Sequence, residues 1–409
     1  MTSAATAHTP AELSRRYETV ALVLQGGGAL GAYQCGVYAA LHDAQVQPTW
    51  FAGTSIGAIN AAIMAGNAPE DRIAALRDFW TTICEPAGTL ASATAQMIRE
   101  SLAWLPQNAA VSTWANALGA MGALMHGQRG FFAPRPVSPL AYRDGSASAT
   151  SFYDTAPLLA TLNRLVDFER INHGQVRLTV GTTDVRNGNY RYFDSGLAPL
   201  RAEHILASGA LPPAFAAVEI DGRAYWDGGI VSNTPLEYLL QSEKRCDLLA
   251  LQVDLWSARG RLPRSIDDVL ERLKDIQYSS RTRVATDNAA RQQKLRVALT
   301  ELLKLIPAQD VPADLQAQLQ PWLSDKVVNI VHLIYQAKAY EEQYKDYAFG
   351  SLSMTEHWKA GENDMLRTLA HPAYFALPDR AVGIATHDVH RNASHDPFGR
   401  GDNASRQDS

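Results

Sequence analysis

Apolar residues fall in short unbroken runs in the first half of the chain and at helical spacing in the second. Thr19 to Gln25 (TVALVLQ) and Trp50 to Thr54 are almost wholly apolar, as expected of strands buried on both faces. Each run leads into a helical pattern, over 32–42 and 56–66, so the start reads strand–helix–strand–helix, the unit of a parallel sheet covered by helices. A further amphipathic helix is predicted over 69–83, and Asp154 heads a capped helix over 156–166. Gln175 to Asp184 and Asn189 to Asp194 read as strands joined by a hairpin at Asn187-Gly188. A helix over 201–209 is stopped by Leu211-Pro212-Pro213, and a second hairpin turns at Asp221-Gly222. A helix starts near Pro235, and Asp247 to Trp256 is another buried strand. After Pro263 the pattern predicts helices over 265–283, 287–306 and 336–346, with a strand over Lys326 to Tyr335.

Between and beyond these elements the pattern lapses. Residues 1–18 read as a flexible polar lead-in and 379–409 as a disordered tail. Residues 86–150 interrupt the α/β pattern as a cap-like or lid-like insertion, and Phe131 to Pro139 reads as irregular. No Asp, Glu, Lys or Arg occurs between Glu100 and Arg129, a span holding Trp104, Trp114, Leu118, Met121, Leu124 and Met125. The organisation expected is therefore a main α/β domain over 19–262 followed by a helix-rich extension over 263–378. In the extension, Arg281, Arg283, Arg291 and Arg296 are spaced to form a basic, solvated helix face.

Composition narrows the functional classes. The 409 residues carry a net charge of −5, so no global positive field draws the chain to nucleic acid. Three cysteines without a Cys-x-x-Cys pair fit a reducing compartment. With no signal-peptide pattern and no spanning apolar run, a cytoplasmic protein with at most peripheral membrane contact is expected. His387, His390 and His395 read as part of a polar tail, and no metal or cofactor is expected.

Three glycine-rich motifs carry the candidate chemistry. Gly53-Thr54-Ser55-Ile56-Gly57 lies between the second strand and its helix, as a nucleophile elbow requires. Gly26-Gly27-Gly28-Ala29-Leu30-Gly31 follows the first strand and offers consecutive backbone amides to an oxyanion or a phosphate. Its Gly-x-Gly-x-x-Gly spacing also meets the dinucleotide fingerprint, but the region around Thr49 to Ala52 lacks the acidic residue that fingerprint needs. Asp227-Gly228-Gly229 sets a carboxylate in a tight turn after Tyr225-Trp226, whose indole was expected to cover the acid and raise its pKa.

Together these motifs resemble the patatin-like phospholipases, acyl hydrolases of mostly parallel α/β fold with a central sheet sandwiched by helices. The resemblance covers about 19–256 and includes Ala207-Ser208-Gly209-Ala210-Leu211-Pro212-Pro213, then Phe215. It implies a Ser–Asp dyad, with Ser55 the nucleophile and Asp227 the general base. It also implies an oxyanion hole at Gly26, Gly27, Gly28 and Gly31, with Gly53, Gly57, Gly228 and Gly229 shaping the turns. Leu30 departs from the family's frequent Arg or Lys, which would favour a neutral ester if that cation binds a headgroup. The extension, with Lys345-Asp346-Tyr347 and His357-Trp358, resembles one found on some bacterial members and implies no chemistry of its own. A lipid or other apolar ester is thus the expected partner. A nucleotide-binding protein using the glycine loop and an idle membrane-surface module are the alternatives, and His332 and His357 are the histidines that a Ser–Asp–His order would draw on.

Overall fold

The computed structural model describes residues 8–85, 125–174, 176–241, 246–280, 282–307, 310–324, 326–336 and 345–389. A nine-stranded sheet runs through the molecule in the order β11-β10-β9-β1-β2-β5-β8-β7, with β6 added to β5. Strands β1 (Thr19–Leu24), β2 (Trp50–Thr54), β5 (Arg177–Asp184), β9 (Leu248–Asp254), β10 (Val328–Ile334) and β11 (Ile384–Asp388) are parallel neighbours. The strands β6 (Tyr190–Asp194), β7 (Val218–Ile220) and β8 (Arg223–Asp227) join antiparallel. A separate two-residue pairing joins β3 (Ala133–Pro134) to β4 (Tyr153–Asp154), so the stretch expected to be irregular carries one short ladder.

Both faces of the sheet are covered, which is why the central strands read as unbroken apolar runs. On one face Leu22 and Leu24 of β1 pack with helices α2 (Ala32–Asp43), α3 (Ile56–Ala65) and α4 (Arg72–Cys84). On the other, Ala21 and Val23 pack with Leu236, Leu239 and Leu240 of the short helix that starts after Pro235. The helix predicted over 156–166 spans Ala156–Leu165, and that over 201–209 spans Ala202–Ser208. Both hairpin turns form where predicted, with Gly188 at φ +71° and Asp221-Gly222 at +50° and +76°.

The extension shares the sheet. β10 pairs with β9 over seven residues, and β11 covers the edge of β10 in register Val328↔Ile384. Ile384–Asp388 lies within the stretch expected to be tail; an open parallel edge supplies the hydrogen bonds that its sparse apolar content did not foretell. The lead-in is likewise more structured than expected from Thr9 onward. Thr9 and Glu12 form a capping box on the helix Pro10–Ser14, and the Tyr17 hydroxyl donates to the Ala376 carbonyl at 2.7 Å. Two long helices of the extension are Ile266–Tyr278 and Thr282–Lys304; the one predicted over 336–346 falls mainly outside the described residues, as does 86–124 of the insertion. Arg296 leaves the expected basic face, being buried with its guanidinium over the Trp322 ring. In β11, His387 stacks on Tyr374, while His390 and His395 are outside the described residues.

A helix absent from the sequence reading, Ser351–Leu369, crosses α2 at contact distance. A Cβ on Gly361 would lie 2.0 Å from the Tyr33 carbonyl oxygen, and one on Gly36 would lie 1.8 Å from that of Trp358. The Tyr33 hydroxyl then donates to Asp364 at 2.8 Å across the same crossing. Backbone against backbone leaves no flexible neighbour to give way. Gly361→Ala is therefore expected to lower unfolding stability by about 1–3 kcal/mol, measured as a shift in the urea midpoint at unchanged slope. An unshifted midpoint would show that the crossing opens at little cost.

Candidate active site

The elbow is built by steric demand. Ser55 sits at φ +56°, a strained conformation for a non-glycine residue, between the end of β2 and the start of α3. Side chains at the flanking glycines would collide with backbone: a Cβ on Gly53 would be 2.3 Å from the Gly57 carbonyl oxygen, and one on Gly57 would be 2.3 Å from that of Leu24. Ser208 holds the turn. Its hydroxyl donates to the Gly181 carbonyl at 2.7 Å and accepts from the Ser55 amide at 3.0 Å. The family-like segment around Ser208 is thus a brace for the elbow.

Asp227 reaches the same point by pairing. Gly181 of β5 pairs with Thr54 and with Tyr192, and the next residue, Thr182, pairs with Asp227 and with Arg191. Since β6 takes one edge of β5, β2 and β8 occupy successive stretches of the other edge and meet end to end. The Asp227 carboxyl is buried, accepts from the Gly229 amide at 2.7 Å and has the Ser55 hydroxyl as its neighbour. Burial raises its pKa to about 6, and the nearby Ser55 hydroxyl and the Gly229 amide limit the rise. The cover is not Trp226, which alternates to the opposite face of β8 and is half-buried. It comes from Tyr190, Tyr278 and Tyr347, whose phenols are raised by burial first and by the Asp227 charge as a lesser cause.

The glycine loop lies against both groups. A Cβ on Gly26 would be 3.0 Å from the Ser55 Cβ and 2.4 Å from Oδ1 of Asn233. The four glycines expected around an oxyanion divide. The Gly26 amide donates to the Asn233 carbonyl at 3.3 Å, and Gly31 packs on Ile56 and Trp80 at the start of α2. Gly27 and Gly28 amides have no acceptor among the described residues, and Gly28 holds φ +54°. Leu30 is fully buried in the core, so position 30 faces protein and not a headgroup.

Several residues of the site carried no signal in the sequence. Asn233 donates from Nδ2 to the Gly26 and Tyr278 carbonyls, both at 2.9 Å, and Trp256 Nε1 donates to the Gly26 carbonyl at 2.8 Å. The extension contributes directly. The Asp346 carbonyl accepts from the Ala29 amide at 2.9 Å, and its buried carboxyl pairs with Lys274 Nζ at 2.9 Å. Beside the site, Phe131, Phe132, Tyr153, Phe215 and Phe349 form a ring cluster with centroids 4.9–6.3 Å apart. Neither candidate histidine joins it: His332 bonds Asp254 through Nε2 at 2.7 Å, and buried His357 stands edge-on to Tyr335.

The sequence model of a family described as patatin-like phospholipase matches residues 22–240, and a second, described as patatin phospholipase, matches 276–381. No curated protein matches the chain. Among solved structures, VipD from Legionella pneumophila is similar at 15% identity and a TM-score of 0.36, over 91% of this chain and 72% of that one. The type III effector ExoU is similar at 16% identity and a TM-score of 0.24, over 84% of this chain and 53% of that one. With similarity that loose, the family assignment rests on the sequence models.

The raised pKa of Asp227 bears on stability as well as chemistry. Against an ordinary value of 3.8, a folded-state pKa of about 6 means that the native state holds this proton more tightly than the unfolded chain. Its contribution is full below the unfolded pKa and is lost as pH rises through about 6. Asp227→Asn never ionises, so relative to the native chain it should gain up to about 3 kcal/mol between pH 4 and 7. Urea midpoints across that range test this; a constant difference between the two proteins would contradict the raised pKa.

Proposed function

Because the chain belongs to the patatin-like phospholipase family, whose model spans more than half of it, we propose that it cleaves carboxylic esters of lipids by a Ser–Asp dyad. Family membership makes it a lipid hydrolase; the residues and steps are our reading. Ser55 attacks the ester carbonyl while Asp227 takes its proton, and the amides of Gly27 and Gly28 receive the oxyanion. Collapse of the tetrahedral intermediate expels the alcohol, protonated by Asp227, and leaves an acyl-enzyme on Ser55. Water, deprotonated by the same carboxylate, then releases the acid. The observation that carries this reading is that strand pairing sets a strained, elbow-mounted Ser55 beside a buried carboxyl of raised pKa.

The surroundings agree with an apolar acyl group. The aromatic cluster of Phe131, Phe215 and Phe349 also includes Tyr153, which lies near enough to Tyr347 to influence its phenol. The nucleotide alternative is weakened because Asp346 and Asn233 pack directly against the glycine loop.

A fluorophosphonate should label Ser55 and no other serine, as read by mass spectrometry of the digested adduct, and Ser55→Ala should abolish both label and turnover. Labelling elsewhere would overturn the nucleophile. Asp227→Asn should lower kcat/KM on a soluble short-chain ester by about 10²–10⁴-fold. In the native enzyme kcat/KM should fall below a pH of about 6 as the base is protonated. A flat profile from pH 5 to 8 would remove Asp227 from that role. Gly28→Ala, whose Cβ would meet the Asp346 carbonyl oxygen at 2.2 Å, should cost about 10²–10³-fold in kcat while leaving the fold intact by circular dichroism.

A further inference from the structure

The helix Ile266–Tyr278, here α5, is turned inside out. An amphipathic helix on a water-soluble domain buries its apolar stripe and exposes its charges. Here Glu271, Lys274 and Asp275 face the protein, while Asp267 and Asp268 stay exposed at the head of the helix. Lys274 pairs with Asp346 at 2.9 Å, and Glu271 and Asp275 pair with buried Lys345 at 3.1 and 2.7 Å. At the C-terminal end, the Tyr278 carbonyl accepts from Gln25 and Asn233 of the candidate site. The aliphatic side chains face outward. Ile266, Leu273 and Ile276 are 71%, 59% and 58% exposed, with Val269 and Leu270 beside them, and Leu262 just before the helix is 89% exposed. No residue of this helix is buried, yet its spacing of 266, 269, 270, 273 and 276 is that of one continuous stripe.

Exposed aliphatic stripes of this kind mark a surface that is covered in use. Its setting says by what. Arg259, Arg261 and Arg264 are exposed on the segment that leads into the helix, interleaved with Leu262. Aliphatic side chains beside a short arginine cluster match the acyl boundary and the anionic headgroups of a bilayer leaflet. The net charge of −5 belongs to the whole chain; within a screening length of about 8–10 Å the three arginines exceed the exposed Asp267 and Asp268 by a single positive charge. Since Lys274 and Tyr278 tie the helix to the glycine loop and to Asn233, a leaflet seated on the stripe would lie at the rim of the site.

We infer that the outward face of α5, with Arg259, Arg261 and Arg264, is the surface by which this protein docks on an anionic phospholipid membrane. The inference rests on the lipid-hydrolase reading for its choice of occupant, but its test reads binding directly. The full-length protein should sediment with phosphatidylcholine vesicles containing phosphatidylglycerol, and less so as salt is raised or phosphatidylglycerol is left out. Each Arg→Gln change should weaken binding about five-fold. The triple variant L270S/L273S/I276S should lose at least ten-fold in vesicle binding and in hydrolysis of vesicle lipid. It should keep native fluorophosphonate labelling and native turnover of a soluble short-chain ester.

Sedimentation of the triple variant at the native level would overturn the proposal, as would equal loss of soluble turnover with the fold intact. Two other occupants are read separately. A native dimer by light scattering that becomes a monomer in the triple variant would assign the stripe to a second copy. An environment-sensitive dye at Leu273→Cys, in a Cys246→Ser background, should shift blue only when vesicles are added. A blue-shifted dye in the vesicle-free monomer would mean that the chain covers its own stripe. If the protein proved inactive on every ester yet still sedimented as described, the catalytic reading would fail and the docking surface would stand.

Discussion

The geometry of the site depends on one edge of one strand. β5 offers its first half to β2 and its second half to β8, and the two incoming strands run in opposite directions. Their C-terminal ends therefore meet, Thr54 opposite Gly181 and Asp227 opposite Thr182. A hydroxyl one residue beyond the first end and a carboxyl at the second are brought together by ladder hydrogen bonds, which tolerate little slippage because a shift by one residue would turn every side chain to the other face. Gly181 marks how tightly the junction is packed: a Cβ there would fall 1.8 Å from the Tyr190 hydroxyl, which itself bonds Thr54 at 2.9 Å. The same hydroxyl would be 2.9 Å from a Cβ on Gly228. Tyr190 thus wedges under both strand ends at once.

Around that junction the extension behaves as part of the wall of the candidate site. The Asp346 carbonyl fixes the glycine loop through Ala29, and the Tyr278 carbonyl fixes Asn233, which in turn holds the Gly26 carbonyl. Each of these contacts spans a long stretch of sequence, and each is a hydrogen bond made to backbone in a buried setting. Such bonds cost about 1–3 kcal/mol when a partner is lost and its mate stays dry. An α/β core ending at 262 would leave β9 with an open edge, the glycine loop without Asp346 and Asp227 without two of its three tyrosines. The second family model, over 276–381, coincides with these supporting elements.

Much of this was legible from the residues, and the exceptions have physical causes. Buried parallel strands announce themselves as unbroken apolar runs, hairpin turns by a glycine at positive φ, and the elbow by two glycines where backbone passes too close for a side chain, so β1, β2, both hairpins and the elbow were readable. The crossing of Ser351–Leu369 on α2 was not, because its closest approach sets glycines against carbonyl oxygens and its buried face mixes Ser353, His357, Asp364 and Thr368 with few apolar residues. β11 escaped because an edge strand draws its stability from a partner's unpaired backbone, which composition does not record. Among site residues, Ser55, Asp227, Gly27 and Gly28 stood out as motif members. Asn233 and Tyr278 did not, and Asp346 was noted only within the extension, since Tyr278 and Asp346 act through main-chain carbonyls that any residue type possesses.

With Asp227 as the proposed base of the pair, the chemistry of its surroundings follows. In water a carboxyl with a pKa near 3.9 is too weak a base to draw a proton from serine at useful rates. Drying it helps, but an unpaired buried carboxylate would instead take up a proton and cease to be a base at all. The site holds the balance with neutral neighbours, the Gly229 amide and the adjacent Ser55 hydroxyl. Tyr190, Tyr278 and Tyr347 exclude water without supplying a cation, and their own acidity is suppressed by burial and by the carboxylate they surround, so they stay neutral as pH rises. Ser55 and Gly229 then steady the ionised form. A lysine or arginine in that shell would pull the pKa back down, and a fully apolar shell would push it up until the base was lost. Phenols at close range satisfy both demands. Lys274 and Lys345 in this wall are each paired with carboxylates, the first with Asp346 and the second with Glu271 and Asp275. The same pairs turn part of the polar face of α5 inward and leave its aliphatic stripe facing out.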